Sequence, residues 1–228
     1  MSRASGRGPR CVRCRLPVKL CVCDGFRPVP TECRIRVLIH PIEARRPSNT
    51  GHLARWLLPS ATVELAGEGR RRARPEATGA RRLAGLGSGP PVPAGAGDGP
   101  VVVLFPRDDA EVLTSALRDP GPVTLVVPDA PWRQARQMAR LWPGLRELPA
   151  VRLPDGPPGR FRLRKTRLGP GAFGTLEGIA RALGILECQW VEDTLLAVHD
   201  RLVQRGLYAR GRGPADPELA RRLQGGSD

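Results

Sequence analysis

Cys11, Cys14, Cys21 and Cys23 stand in a C-x2-C-x6-C-x-C array. The first pair has the spacing of a metal knuckle. Residues i and i+2 of an extended segment point to the same side, so the four thiolates can converge on one tetrahedral ion. A redox pair or an iron–sulfur cluster would use the same residues, but the small, Arg-rich surroundings favour a structural zinc site that folds around its metal. Cys33 and Cys188 lie outside the array and read as ordinary buried or half-buried thiols.

A second site candidate is Asp129. It ends the apolar run Val-Thr-Leu-Val-Val-Pro and is followed by Ala130, Pro131 and Trp132 at the start of a helical pattern. A carboxylate there sits at the carboxyl edge of a sheet, where open α/β folds place ligands. Asp is equally a favoured helix N-cap, and Trp132 is equally a core residue. No P-loop, H-E-x-x-H or G-x-S-x-G pattern occurs, which removes several hydrolase classes. Gly85-x-Gly87-x-Gly89 imitates a dinucleotide-binding turn, but it has neither a strand before it nor a helix after it.

The elements that would carry these residues are legible in the periodicity. Residues 34–40 read as a strand, and Pro-Ser-Asn-Thr-Gly as a loop in which Ser48 or Asn49 caps the helical HLARWLL. His52 and His199 read as ordinary helical residues. Strands are expected at 61–66, 101–105, 123–129 and 148–154. Helices are expected at 108–118, 131–142, 175–186 and 191–207. Residues 1–30 look like a small separate cysteine module with little to form a core, and 31–228 like the main domain. Residues 67–100, rich in Arg, Gly and Pro, read as a mobile insertion. The alternation argues for an α/β fold, a mostly parallel sheet with helices on both faces.

The formal charge is +15, with 35 of the 37 cations being Arg, and aromatic residues make up only 4% of the chain. GC-biased composition explains Arg in place of Lys but not the excess of cations over anions, so an anionic partner is expected, nucleic acid ahead of membrane. No apolar run approaches the ~20 residues of a membrane span. The basic start has no apolar h-region, so the cytoplasm is the expected location. No protein partner is evident.

Five ordered landmarks give this sequence a family resemblance: the N-terminal cysteines, PSNTGHLA at 47–54, PDAPWRQARQM at 128–138, FRLRK at 161–165 and GTLEGIARAL at 174–183. Together they resemble the DTW-domain family, whose signature is Asp-x-Thr/Ser-Trp. The likeness runs from Cys11 to about Gly184. Asp129 and Trp132 keep the signature, whereas Pro131 replaces its hydroxyl residue. The resemblance implies a tRNA-uridine aminocarboxypropyltransferase. Such an enzyme moves the 3-amino-3-carboxypropyl group of S-adenosylmethionine to N3 of a tRNA uridine and releases methylthioadenosine. It also implies kinship with methyltransferases that carry a C-terminal trefoil knot (SPOUT-like), against the general rule of unknotted chains.

On that reading Asp129 is the catalytic candidate, accepting the N3 proton or orienting the ring. An unperturbed Asp is a poor base at pH 7, so it needs a raised pKa or a purely orienting role. Trp132, Arg162, Arg164, Gly174, Thr175 and Glu177 are candidates for the S-adenosylmethionine pocket, with Thr175 as the N-cap of its helix. Arg133, Lys165, Arg70, Arg71 and Arg72 are candidates for contact with tRNA. The rival readings are an RNA methyltransferase and a non-catalytic zinc-containing RNA-binding protein.

Overall fold

The computed structural model describes residues 8–66, 99–164 and 173–224. Arg70, Arg71, Arg72, Lys165, the glycine run at 85–89 and nearly all of the expected insertion lie outside the described residues. No helix among those described is long and apolar enough to cross a membrane.

Six strands, β1 (Arg34–Ile39), β2 (Ala61–Leu65), β3 (Val101–Leu104), β4 (Glu111–Val112), β5 (Thr124–Asp129) and β6 (Ala150–Arg152), form one sheet in the order β2-β1-β5-β3-β6-β4. Every pairing is parallel. All strands therefore end at the same edge, with the apolar, β-branched β1, β5 and β3 at the centre. Strand side chains alternate between faces. Val37, Val102, Leu125 and Val127 enter one apolar layer, while Leu38, Val103 and Val126 enter the other.

The second layer is closed by α3 (Trp132–Leu141) and α4 (Pro143–Arg146), which bury Ala135, Met138, Ala139, Trp142 and Leu145. The first is closed by α2 (Ala54–Leu57), α5 (Thr175–Leu186) and α6 (Gln189–Tyr208), whose buried residues recur at three- and four-residue intervals. Helices thus cover both faces, as the alternation predicts. The short α1 (Pro41–Ala44) follows β1.

Three expectations need correction. Residues 108–118 do not form one helix: they hold β4 and a 3-10 turn at Ser115–Arg118. Pairing of Glu111 with Val151 gives this stretch a sheet edge to join, and that tertiary contact overrides its local pattern. Residues 1–30 are expected to hold little that packs, yet Cys14, Leu16, Leu20, Val22 and Val29 are buried in the same core as the sheet. Cys188 is exposed, whereas Cys33 is buried as expected. The implied trefoil knot rests on the resemblance alone, and the connection from β6 to α5 includes residues 165–172, outside those described.

A last helix, α7 (Pro217–Gln224), starts on a readable signal, Asp-Pro-Glu. Asp216 caps it by accepting from Leu219 N–H at 2.8 Å, and Pro217 takes the first position. The Asp216 carboxylate also holds the fully buried Arg205 of α6, whose Nε–H donates at 2.6 Å, and another Arg205 N–H donates to the Cys21 carbonyl. This buried pair pins the cysteine segment to the C-terminal helices. Arg205→Ala should therefore cost about 3–5 kcal/mol in urea unfolding, because it strands a buried carboxylate. A loss within ~0.5 kcal/mol would mean that the pair carries no net weight.

Candidate functional site

A cavity of about 470 Å³ opens at the carboxyl edge of the sheet. Its walls are the ends of β3 (Leu104, Phe105), β5 (Val127, Pro128) and β6 (Arg152, Leu153), the start of α3 (Trp132) and the start of α5 (Phe173, Gly174, Thr175, Gly178). Size and largely apolar lining fit a drug-sized ligand oriented by a few polar groups. Trp132 meets Phe105 with ring centroids 5.2 Å apart, so it serves core and cavity wall together. The charged residues of the lining among those described, Arg152 and Asp155, face each other at 3.7 Å. Sequence reading did not single out either.

Asp129 stands behind this wall, only 3% exposed. Its Oδ1 accepts from the Thr175 hydroxyl at 2.5 Å and its Oδ2 from the Asn49 amide at 2.5 Å. Burial pushes its carboxyl up to about 6. The two donors oppose that shift, Glu43 adds to it and Arg164 opposes it. The raised pKa that a base role requires is present. Thr175 also lines the cavity, so this one residue joins the buried carboxylate to the space a ligand would take. Thr175 is not the N-cap of α5; Gly174 is, and the Thr175 side chain points to Asp129 instead. Gly174 is there for close approach, since a Cβ would lie 3.2 Å from the Phe161 ring.

The 47–53 loop closes over the carboxylate. A Cβ on Gly51 would lie 2.3 Å from Asp129 Oδ2 and 2.8 Å from its Cγ, so only glycine fits. Gly51→Ala should lower turnover at least tenfold and destabilise by about 1–3 kcal/mol, since the buried carboxylate cannot move aside without losing its donors. Wild-type kinetics and melting in that variant would show that the loop yields freely.

Asn49 does more than cap. Its Oδ1 accepts from His52 N–H at 3.0 Å while its amide serves Asp129. Ser48 accepts from Arg164 Nε–H at 2.9 Å. His52 is buried rather than an ordinary helical residue. Its Nε2 lies 2.8 Å from the Arg13 carbonyl, and burial, with Arg15 nearby, lowers its pKa to about 4. The only sequence signal for His52 was its place three residues after a capping Asn.

The other predicted residues divide. Arg164 faces Glu43, donating to both carboxylate oxygens, rather than the cavity. Glu177 is fully buried, accepts from Arg160 N–H at 2.9 and 3.1 Å and pairs with Arg181 at 3.1 Å. It thereby fixes the loop that runs from Pro154 to Arg160. Arg162 is exposed beside these, and Arg133 is exposed on the first turn of α3.

The four array cysteines come together, with all Sγ atoms within 4.8 Å of one another. Cys11 and Cys23 are 3.6 Å apart, and Cys14 and Cys21 are 3.7 Å apart. Tetrahedral ligation with metal–sulfur bonds of about 2.3 Å requires edges of about 3.8 Å, so the donor set fits. Burial pushes the Cys14 thiol up to about 11, helped by repulsion from Cys21 and Cys11. A cation bound here would let four thiolates coexist.

An open parallel sheet with a cavity and a buried carboxylate at its carboxyl edge defines an α/β ligand-binding domain. Residues 8–207 match the DTW domain, and the chain belongs to that family. Over 185 residues it is 30% identical to tRNA-uridine aminocarboxypropyltransferase 2 of Drosophila melanogaster, covering 79% of this chain and 68% of that protein. Over 245 residues it is 27% identical to tRNA-uridine aminocarboxypropyltransferase A of Arabidopsis thaliana, covering 94% of this chain and 87% of that one. No solved structure matches.

Proposed function

We propose that this protein transfers the 3-amino-3-carboxypropyl group of S-adenosylmethionine to N3 of a tRNA uridine, forming acp3U and methylthioadenosine. The observation that carries the reading is a buried carboxylate of raised pKa bonded to Thr175, a residue that lines a ligand-sized cavity, in a chain of the DTW family.

N3 attacks the methylene carbon next to the sulfonium. The carbon–sulfur bond breaks and its electron pair stays on sulfur, so methylthioadenosine leaves neutral. The N3 proton passes to the Thr175 oxygen as that hydroxyl gives its own proton to Asp129, a route that needs no hydroxyl at Pro131. Phe105, Trp132 and Leu153 suit the adenosine part of the donor, and the Arg152–Asp155 pair suits the zwitterionic end of the transferred group. Which carbon faces N3 decides what is transferred, because one sulfonium carries both groups. Cys11, Cys14, Cys21 and Cys23 would hold zinc, which would supply a structural cross-link rather than reaction chemistry. The excess positive charge, including the exposed Arg133 and the arginines at 70–72, supplies salt-dependent attraction for tRNA phosphate.

Donor labelled separately in its carboxyl carbon and its methyl group tests the reading. Carboxyl label should enter tRNA while methyl label leaves with the thioether. Methyl label in tRNA would establish a methyltransferase instead, and no label from either, together with tRNA affinity, a binding protein.

A further inference from the structure

We propose that Asn49 and His52 are positioning residues that tie the Asp129 carboxylate to the cysteine knuckle, so that the ion held by Cys11, Cys14, Cys21 and Cys23 sets how Asp129 is presented to the cavity. The path is continuous. Arg13 lies between two metal-ligating cysteines, and its carbonyl accepts from His52 Nε2–H at 2.8 Å. The His52 backbone N–H donates to Asn49 Oδ1 at 3.0 Å, and Asn49 Nδ2–H donates to Asp129 Oδ2 at 2.5 Å. An ionised carboxylate can only accept, so the Asn49 amide N–H faces it while Oδ1 turns to His52, accepting from the backbone N–H and lying 3.0 Å from Nδ1. His52 itself is only 4% exposed and Asn49 2% exposed, so water cannot substitute for either partner.

The knuckle end is not free to choose its own shape. Arg15 holds φ 63°, in the left-handed region that a non-glycine residue seldom adopts, and its guanidinium donates to the Ala44 carbonyl at 2.8 Å. Ligation of Cys11 and Cys14 to one ion fixes this turn and with it the direction of the Arg13 carbonyl. At the other end, Gly51 packs against the carboxylate, so the loop cannot shift while Asp129 stays in place. The charges around Asp129 come from three further segments: Glu43 of α1, Arg164 of the 161–164 stretch, and Arg15 of the knuckle. None of these is altered by the substitutions below.

The test uses the full zinc-loaded chain and needs neither donor nor tRNA, so its failure is distinct from failure of the transfer reading, on which only the consequence for turnover rests. The titration of the Asp129 carboxyl carbon is followed by 13C NMR, its signal identified by its loss in Asp129→Asn. Zinc affinity is measured by competition with a chromogenic chelator. Asn49→Ala removes a donor to the ionised form and should raise the titration midpoint by about one pH unit. His52→Ala should raise it in the same direction and also weaken zinc binding about tenfold or more, as loss of an outer-shell partner does. His52→Gln, whose amide can still reach the Arg13 carbonyl, should recover most of both. Should the alanine variant not fold, partial chelation of the wild-type protein reads the same link, because the zinc-free fraction must show a displaced Asp129 signal. An Asp129 midpoint and a zinc affinity both unmoved by the His52 substitutions, or a carboxyl signal indifferent to zinc, would overturn the coupling.

Discussion

Asp129→Asn should lower aminocarboxypropyl transfer by about 10²-fold or more at saturating donor and tRNA, and should at the same time raise the melting temperature at pH 8. The two effects share one cause. The carboxyl of Asp129 is buried, and its pKa is raised from 3.8 to about 6. A group raised in the folded state contributes stability that is full below its unfolded pKa and is lost as pH rises through the folded one. Above pH 6 the ionised carboxylate therefore costs stability, on the order of 1.4 kcal/mol for every tenfold difference in proton affinity between the folded and unfolded chain. Asparagine removes that cost and can keep both contacts, its carbonyl facing the Asn49 amide and its own amide the Thr175 oxygen. It cannot take a proton. The wild-type rate should fall as pH drops through about 6, following loss of the base form, and that limb should vanish in the variant. Full turnover in Asp129→Asn would eliminate the base role and leave Asp129 as a structural acid.

Cys14→Ser should release the metal and lower the melting temperature by on the order of 10 °C. Cys14 is fully buried, and its neighbours Leu16, Leu20 and Val22 belong to the main core, so loosening the knuckle exposes apolar surface that the sheet and α6 rely on. Metal content by mass spectrometry and calorimetric melting check this together. Retained zinc, or metal loss without a change in melting, would show that residues 8–30 are held by packing and by the Arg205 contact alone.

The sheet and its main helices were legible because their apolar periods are long and unbroken: Arg34–Ile39 and Thr124–Asp129 as strands, Thr175–Leu186 and Gln189–Tyr208 as helices. Residues 108–118 were not, because a two-residue strand is created by its neighbour β6 rather than by its own pattern. At the site, the cysteine spacing alone announced a cluster, and Asp129 announced itself by ending a strand. Its raised pKa was required by the chemistry but invisible in the sequence, since burial depends on Asn49, Gly51 and Thr175 arriving from two other segments. Capping accounted for Asn49 so fully that its second contact had no separate signal. Arg164 shows the reverse. A cation in a basic run suggested an anionic ligand, and the structure pairs it with Glu43 of the same chain. Arg152, a cation that does line the cavity, sits at the end of a short strand with nothing around it to mark it.

The identity of the transferred group separates this enzyme from a methyltransferase. Purified protein, S-adenosylmethionine and unmodified tRNA should be incubated together, and the small molecules and digested nucleosides then quantified by mass spectrometry. Methylthioadenosine and aminocarboxypropyluridine should appear in equal amounts, despite Pro131. S-adenosylhomocysteine with a methylated nucleoside, or no consumption of the donor at all, would contradict it.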